Sequence, residues 1–331
     1  MEATLTSSND QRARTGFWSG QLGYAQAVIT VAGAVGAGWL LQWARCGNAV
    51  APPAWPVNIA LLGLLVGWIG LLSVTRNRVI AWLGGIPLAL VSMGAVGLLA
   101  AVGGVVPQTA DAPAWARAAG LDNVFSSAPF IVAMLLLLTN LGLATLRRGR
   151  ALGWRGWLFS LNHAGLWILL ACGMFGAGDV IRARLMLVEG TAEARLVDDQ
   201  GRQGYLPVGL FLQRFYVDHY PGENGAPGPA RTFTAEVTVL HPDGSVEDER
   251  ITVNHPLRRA GWTLYLINYE LSPDGQTDRC VVEAVRDPWL PGVYAGIFLL
   301  LAGAVAMLFR SPFGENWSIL GAENKAEGTA S

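Results

Sequence analysis

Charge is what this sequence has least of. Asp, Glu, Lys and Arg make up 14% of its 331 residues and hydrophobic types 52%, where a soluble domain carries roughly 25% charged residues. So small a share points to a chain solvated largely by lipid. The net charge of -1 and the lack of a Lys/Arg-rich stripe exclude the electrostatic footprint of a nucleic-acid partner. Cysteine is scarce too. Cys46, Cys172 and Cys280 are odd in number, widely spaced and outside any CxxC pair, which argues against a disulfide framework. Cys172 in an apolar run and Cys280 in a strand-like one read as small buried hydrophobes. The GxSxG, HExxH and P-loop patterns are missing, and no Ser or Cys has a base at a recognisable spacing, so no catalytic residue is expected.

What the chain has is apolar length. A hydrocarbon core of about 30 Å takes roughly 20 helical residues to cross, and six runs suffice: Tyr24 to Trp43, Val57 to Val74, Val79 to Val106, Ser127 to Leu146, Trp157 to Gly178 and Pro291 to Phe309. The first lacks a small-residue cleavage site and is too long for a removed secretory signal, so it is expected to persist. Trp18, Trp43, Trp55, Trp115, Trp154, Trp157 and Trp289 bracket the runs, as befits a ring that is apolar but carries a polar N-H. None of the runs contains Asp, Glu, Lys or Arg, which disfavours a pathway for polar solutes.

Short cytoplasmic loops are enriched in Lys and Arg. Arg12, Arg14, Arg76, Arg78, Arg147, Arg148, Arg150, Arg155 and Arg310 flank the runs on one side, and only Arg45 and Arg117 lie in the short loops of the other. The expected protein is therefore a multi-pass protein of the cytoplasmic (inner) membrane with both termini in the cytoplasm. Its parts are a cytoplasmic N-terminus (1–23), a five-helix membrane region (24–178), an extracytoplasmic domain (179–287), a sixth membrane helix (288–310) and a cytoplasmic tail (311–331).

The outer region changes character, with alternating apolar residues punctuated by Gly, Pro, Asp and Asn. In TFTAEVTVL, Phe233, Ala235, Val237 and Val239 share one face, and HPDGS supplies an Asp243-Gly244 hairpin turn. Further strands are expected over Val246 to Asn254, from Trp262 and from Arg279, and strands begin at Ile181 and Tyr205. Pro221 to Pro229 is expected to be a surface loop. About 110 residues suffice for one core, so the fold class is a polytopic α-helical membrane protein of six spans with one extracytoplasmic all-β domain between spans 5 and 6.

Of four histidines, only His163 lies in a run. It sits roughly 9 Å along the helix from Trp157, at the expected cytoplasmic interface. Trp167, Leu170 and Met174 share its face, while Gly165, Cys172 and Gly176 form a small-residue stripe opposite, suited to close helix packing. Two uses fit an intramembrane histidine of this kind: a hydrogen bond or snorkelling contact, or ligation of a flat apolar cofactor such as haem. A six-coordinate iron needs a second axial ligand. Met174, roughly 16 Å away on the same helix, cannot serve; Met93, Met134 or Met307 would be needed, or more simply a second protein. His219, His241 and His255 fall in turns or loops.

Three stretches together resemble the ResB (CcsB-like) proteins of system II cytochrome c maturation: WRGWLFSLNHAGLWILLACGMFGAGD from Trp154, ITVNHPLRRAGWTLYLINYEL from Ile251, and VVEAVRDPWLPGVYAGIFLLLAGAVAMLF from Val281. The likeness covers roughly Trp154 to Pro312, about half of the chain, and the VNHPL corner (Asn254, His255, Pro256) and the DPW before the last run are its more specific parts. The resemblance implies a subunit that, with a CcsA/ResC-like membrane partner, carries haem across the bilayer and presents it to apocytochrome c. In fused members a membrane histidine of the B part ligates haem, and His163 is the matching position. The tryptophan-rich haem-handling motif of the partner is missing, so this chain alone would not be the holocytochrome c synthase. The outer domain is shorter than in larger members, and four runs precede Trp154. The competing readings are a membrane subunit with a permanent b-type haem for electron transfer, and a haem-free scaffold.

Overall fold

The structure, a computed structural model, describes residues 22–109, 111–152, 156–221, 227–270 and 278–309. The chain divides into a helical unit and a β unit, Asp179–Leu290.

In the helical unit, α1 is Tyr24–Ala44, α2 Val57–Val74, α3 Arg78–Leu83, α4 Ile86–Val105, α5 Ala114–Ala118, α6 Ala128–Leu152, α7 Trp157–Gly176 and α8 Leu290–Phe309. Among the described residues six of these, all but α3 and α5, are long and apolar enough to cross a membrane. Helix α6 is central: half of its apolar window is buried, against 11% to 22% in the others.

The run expected as one span over Val79 to Val106 is broken. It forms the short α3 and then α4, because Gly84 and Gly85 interrupt the helix and Pro87 sits in the first turn of α4. The break is held from α6, where the Asn140 amide donates to the carbonyls of Leu83 and Gly85. Three more amides join helices in the same way. Gln42 Oε1 accepts from Ala128 N at 2.9 Å and its Nε2 donates to Gly47 O at 2.8 Å, Asn58 donates to Phe175 O at 3.0 Å, and Asn162 donates to Leu300 O at 3.1 Å. In lipid a polar side chain must find a partner in the protein, and each amide finds a backbone group of a neighbouring helix or loop. Helix α6 runs beyond its expected end at Leu146 through Leu152. There Arg147 donates to Thr75 O at 3.0 Å and Arg150 to Ser73 Oγ at 2.6 Å, so these arginines gather at the C-terminal end of α2.

The β unit is an eight-stranded sheet, β1 Ile181–Val188, β2 Ala192–Val197, β3 Gln203–Pro221, β4 Pro227–Leu240, β5 Val246–Thr252, β6 Leu257–Arg259, β7 Trp262–Glu270 and β8 Arg279–Arg286, in the order β5-β4-β3-β2-β1-β8-β7-β6 with antiparallel pairing. All eight strands contribute to one core, in which Leu185, Leu187, Leu210, Leu212, Val237 and Leu264 are among the fully enclosed residues. The sheet curls into a barrel-like form whose open edges meet through side chains: Arg259 of β6 pairs with Glu247, at 2.9 Å, and with Glu249 of β5. Ala235, Val237 and Val239 are buried with Phe233 packed beside them, the face expected from alternation. The hairpin turns at Asp243-Gly244, where Gly244 takes a φ of +84° and Asp243 Oδ1 accepts from Ser245 N at 2.9 Å.

Several strand details differ from expectation. Pro227 to Pro229 belong to β4 and Pro221 to β3, and the rest of the expected loop, residues 222–226, lies outside the described residues. Strand β5 stops at Thr252, where the VNHPL corner turns the chain. Strands β2 and β6 were not expected, and β3 starts at Gln203. The β6–β7 hairpin turns through Ala260 and Gly261, both at positive φ (50° and 80°), the pattern of a two-residue turn that matches strand twist.

Candidate functional site

Helix α7 presents two faces of different character. The small-residue stripe meets α8: a Cβ on Gly165 would lie 2.4 Å from Leu300 N, one on Gly296 2.6 Å from Leu169 N, and one on Gly303 2.7 Å from Asn162 N. Backbones that approach so closely leave no room for even a methyl group. Close packing on this stripe follows the sequence expectation.

His163 lies off that contact and is half-buried. Its Nδ1 stands 3.0 Å from Phe159 O; because a carbonyl only accepts, Nδ1 carries the proton and donates. The lone pair is therefore on Nε2, which has no hydrogen-bond partner among the described residues. The imidazole stacks on the Phe159 ring at 3.8 Å between centroids, and the Arg148 guanidinium lies 5.0 Å over that ring. Neither Phe159 nor Arg148 was expected beside His163 from the sequence. The four-residue spacing from Phe159 to His163 is a readable signal of contact on a helix, whereas nothing local announces Arg148.

A histidine that ligates a metal through one nitrogen usually donates its other N-H to a carbonyl or carboxylate, which fixes tautomer and ring orientation. His163 meets that requirement, so its donor set fits a haem iron held through Nε2. The methionines considered as second ligands stand elsewhere: Met93 is 52% exposed and Met307 38%, and Met134 lines a cavity together with Met174. Among the described residues no group of three or more His, Cys, Asp and Glu side chains is placed to hold a metal ion.

The VNHPL residues belong to the β unit and form a tight corner. His255 N donates to Thr252 O at 3.2 Å, Thr252 N to His255 O at 3.3 Å, and Thr252 Oγ1 lies 3.3 Å from His255 Nδ1. Asn254 and His255 are exposed, Pro256 is half-buried, and Leu257 then enters the core. This corner aims β6 at its hairpin, which is a positioning task. DPW has a similar one. Asp287 Oδ1 accepts from Trp289 N and Leu290 N at 2.9 and 3.1 Å at the start of α8, and Trp289 Nε1 donates to Asp179 Oδ2 at 2.7 Å. The two ends of the β unit are thus tied to each other.

The ResB-like family profile matches residues 153–284. Two CcsB cytochrome c biogenesis proteins align over the same share of the chain. That of Synechococcus sp. strain CC9902 is 32% identical over 112 residues, covering 34% of this chain and 24% of the relative, and that of Prochlorococcus marinus strain NATL1A is 30% identical over 114 residues, with the same coverage. The chain thus matches about a quarter of the length of these relatives, 24% in each case. A solved cytochrome c haem lyase CcmF superposes over 86% of this chain and 46% of its own at a TM-score of 0.33 and 15% identity, too distant a likeness to carry an argument. Residues 153–284 are thus similar to the ResB-like family, and a third of the chain is similar to CcsB cytochrome c biogenesis proteins.

Proposed function

We propose that this chain is a membrane subunit of a cytochrome c assembly complex, in which it shares haem with a CcsA/ResC-like membrane partner and helps present it to apocytochrome c. His163 is the candidate axial ligand. The observation that carries the reading is its hydrogen-bond state, with Nδ1-H committed to Phe159 O and Nε2 left to bind, inside the family-matched stretch. When bound, haem supplies the group to be attached; the residues of this chain hold and orient it. Phe159 fixes the plane of the imidazole, and the α7–α8 contact fixes the helix that carries it. The second axial ligand comes from the partner, so the chain is non-catalytic alone. The β unit lies on the extracytoplasmic side of the cytoplasmic membrane, where an apocytochrome is met, and both termini are cytoplasmic. The asymmetry of the arginines along the chain supports this orientation.

The test is His163→Ala in the complex co-purified with its partner from membranes. Loss of the imidazole removes an iron ligand and little packing, so the Soret band and cytochrome c yield should fall while protein abundance holds. Exogenous imidazole should restore part of both by filling the vacated position. His219→Ala and His241→Ala should leave the band intact. His255→Ala should also leave haem bound, while weakening cytochrome assembly through the loosened corner. Unchanged haem content and cytochrome yield in His163→Ala would refute the assignment.

A further inference from the structure

Helix α2 is pinned near its two ends. At one, Asn58 donates to Phe175 O of α7 at 3.0 Å. Toward the other, Ile69 packs on Gly142 of α6, where an added Cβ would come within 2.9 Å of Ile69 Cδ1, and Ser73 Oγ accepts from Arg150. One cavity opens on the seam of α2 with α6 and α7 between the Asn58 and Ile69 contacts, and a second lies at the Ile69–Gly142 contact itself. The larger, 630 Å³, is walled by Leu61 and Leu65 of α2, Met134 of α6, and Leu170, Gly173 and Met174 of α7. The smaller, 260 Å³, is lined by Val66, Ile69, Gly142, Thr145 and Trp167 among others and shares no lining residue with the larger. Pro52, Pro53 and Ser126 border the larger cavity at the Asn58 end; the loop is seated there, since a Cβ on Gly178 would lie 2.4 Å from Pro53 O.

The lining holds no charged, amide or imidazole side chain. Thr145 Oγ1 already donates to Leu141 O of its own helix at 2.7 Å and Trp167 Nε1 to Leu138 O at 2.9 Å, which leaves Ser126, at the mouth of the larger cavity, as the remaining polar side chain. A space of this size left empty forfeits dispersion contacts along every wall, and ligand pockets of about 300–1,000 Å³ normally enclose a molecule. The lining of the larger cavity runs along the helix seam from Pro52 and Ser126 to Leu65 and Leu169, and its chemistry is hydrocarbon with one polar side chain at the mouth. In a bilayer the abundant molecule of that description is a lipid chain. We propose that the α2–α6–α7 slot holds one acyl chain of a membrane phospholipid, its ester end at the mouth beside Ser126, as a resident part of the helical unit. Gly173 keeps the slot open: a Cβ there would meet nothing within 4 Å, so a larger side chain can enter the cavity without displacing backbone.

The test uses the full chain in vesicles of palmitoyl-oleoyl phosphatidylglycerol doped with the same lipid bearing a diazirine midway along one chain, with labelled residues mapped after illumination. Met134 is 7% exposed and so shielded from lipid around the outside, whereas Leu64 on the outer face of α2 is 70% exposed. Both should be labelled in the unmodified chain. Gly173→Phe, with Gly173→Leu as the milder variant, should reduce labelling of Met134 severalfold and leave Leu64 unchanged. Labelling confined to outward positions, or Met134 labelling indifferent to both substitutions, overturns the proposal. Loss of Met134 labelling on adding a short-chain quinone but not on adding unlabelled phospholipid would also overturn it, by naming a different occupant. The result is independent of haem content, so it stands or falls separately from the role of His163.

Discussion

Replacing Gly292 by cysteine should create a disulfide with Cys172 and lock α8 to α7. A Cβ at position 292 would stand 3.8 Å from Cys172 Cβ and 2.7 Å from its Sγ. Bridged cysteines keep their Cβ atoms about 3.5–4.5 Å apart, so the pair meets the geometric condition with little backbone movement. The bridge would close a loop of about 120 residues, for which chain entropy sets an upper limit of about 5 kcal/mol. The gain in a bilayer should be well below that, because both helices stay inserted when their packing is lost. The assay is done in a Cys46→Ser background, with a protease site introduced within residues 222–226. After mild copper-phenanthroline oxidation and cleavage, the two fragments should migrate together without reductant and separate with it. Phe298→Cys, 70% exposed, is the control that should not link. Fragments that separate in Gly292→Cys, or that join in Phe298→Cys, would refute the α7–α8 packing and with it the orientation given to His163.

Asn140→Leu should destabilise the helical unit by about 1–3 kcal/mol, since it strips the carbonyls of Leu83 and Gly85 of a donor where no water replaces it; thermal unfolding in detergent identical to that of the unmodified chain would contradict this. Cys280 is buried and lies near the Glu189 carboxylate, which together push its thiol up to about 12. Only the thiolate is nucleophilic, so at pH 8 N-ethylmaleimide should modify exposed Cys46 and spare Cys280 until the protein is denatured, and native-state labelling of Cys280 would count against the core. Reporter fusions at Gly120 and Gly225 should report the outside and those at Asn77 and Gly149 the cytoplasm, and the reverse pattern would overturn the orientation.

Periodicity and length made most of this fold legible. Runs of Leu, Val and Ala long enough for a bilayer became helices, and alternation in Phe233 to Val239 became a strand with the expected face inward. Hydropathy did not reveal the α3–α4 break, because Gly84 and Gly85 count as weakly apolar while their backbone freedom ends the helix. Strand β2 escaped because AEARLV buries only Leu196 fully, and β6 because three residues carry no period. At the candidate site, the small-residue stripe and the lone histidine were readable from spacing. The tautomer of His163 was not, since it depends on where one carbonyl points after the helix forms, and neither was the cavity, whose walls come from three helices far apart in sequence.

Strands β1 and β8 pair along their whole length, from Ile181 opposite Arg286 to Val188 opposite Arg279. The chain therefore arrives in the β unit and leaves it on adjacent, oppositely directed strands, a ladder spacing of about 5 Å apart. Seen from α7 and α8, the intervening hundred or so residues are a cassette whose two leads are fixed side by side, whatever is built beyond them. Its loops at the far end of that ladder can be lengthened, trimmed or exchanged without changing the distance between the leads. A change in those loops is thereby separated from the spacing of the two leads.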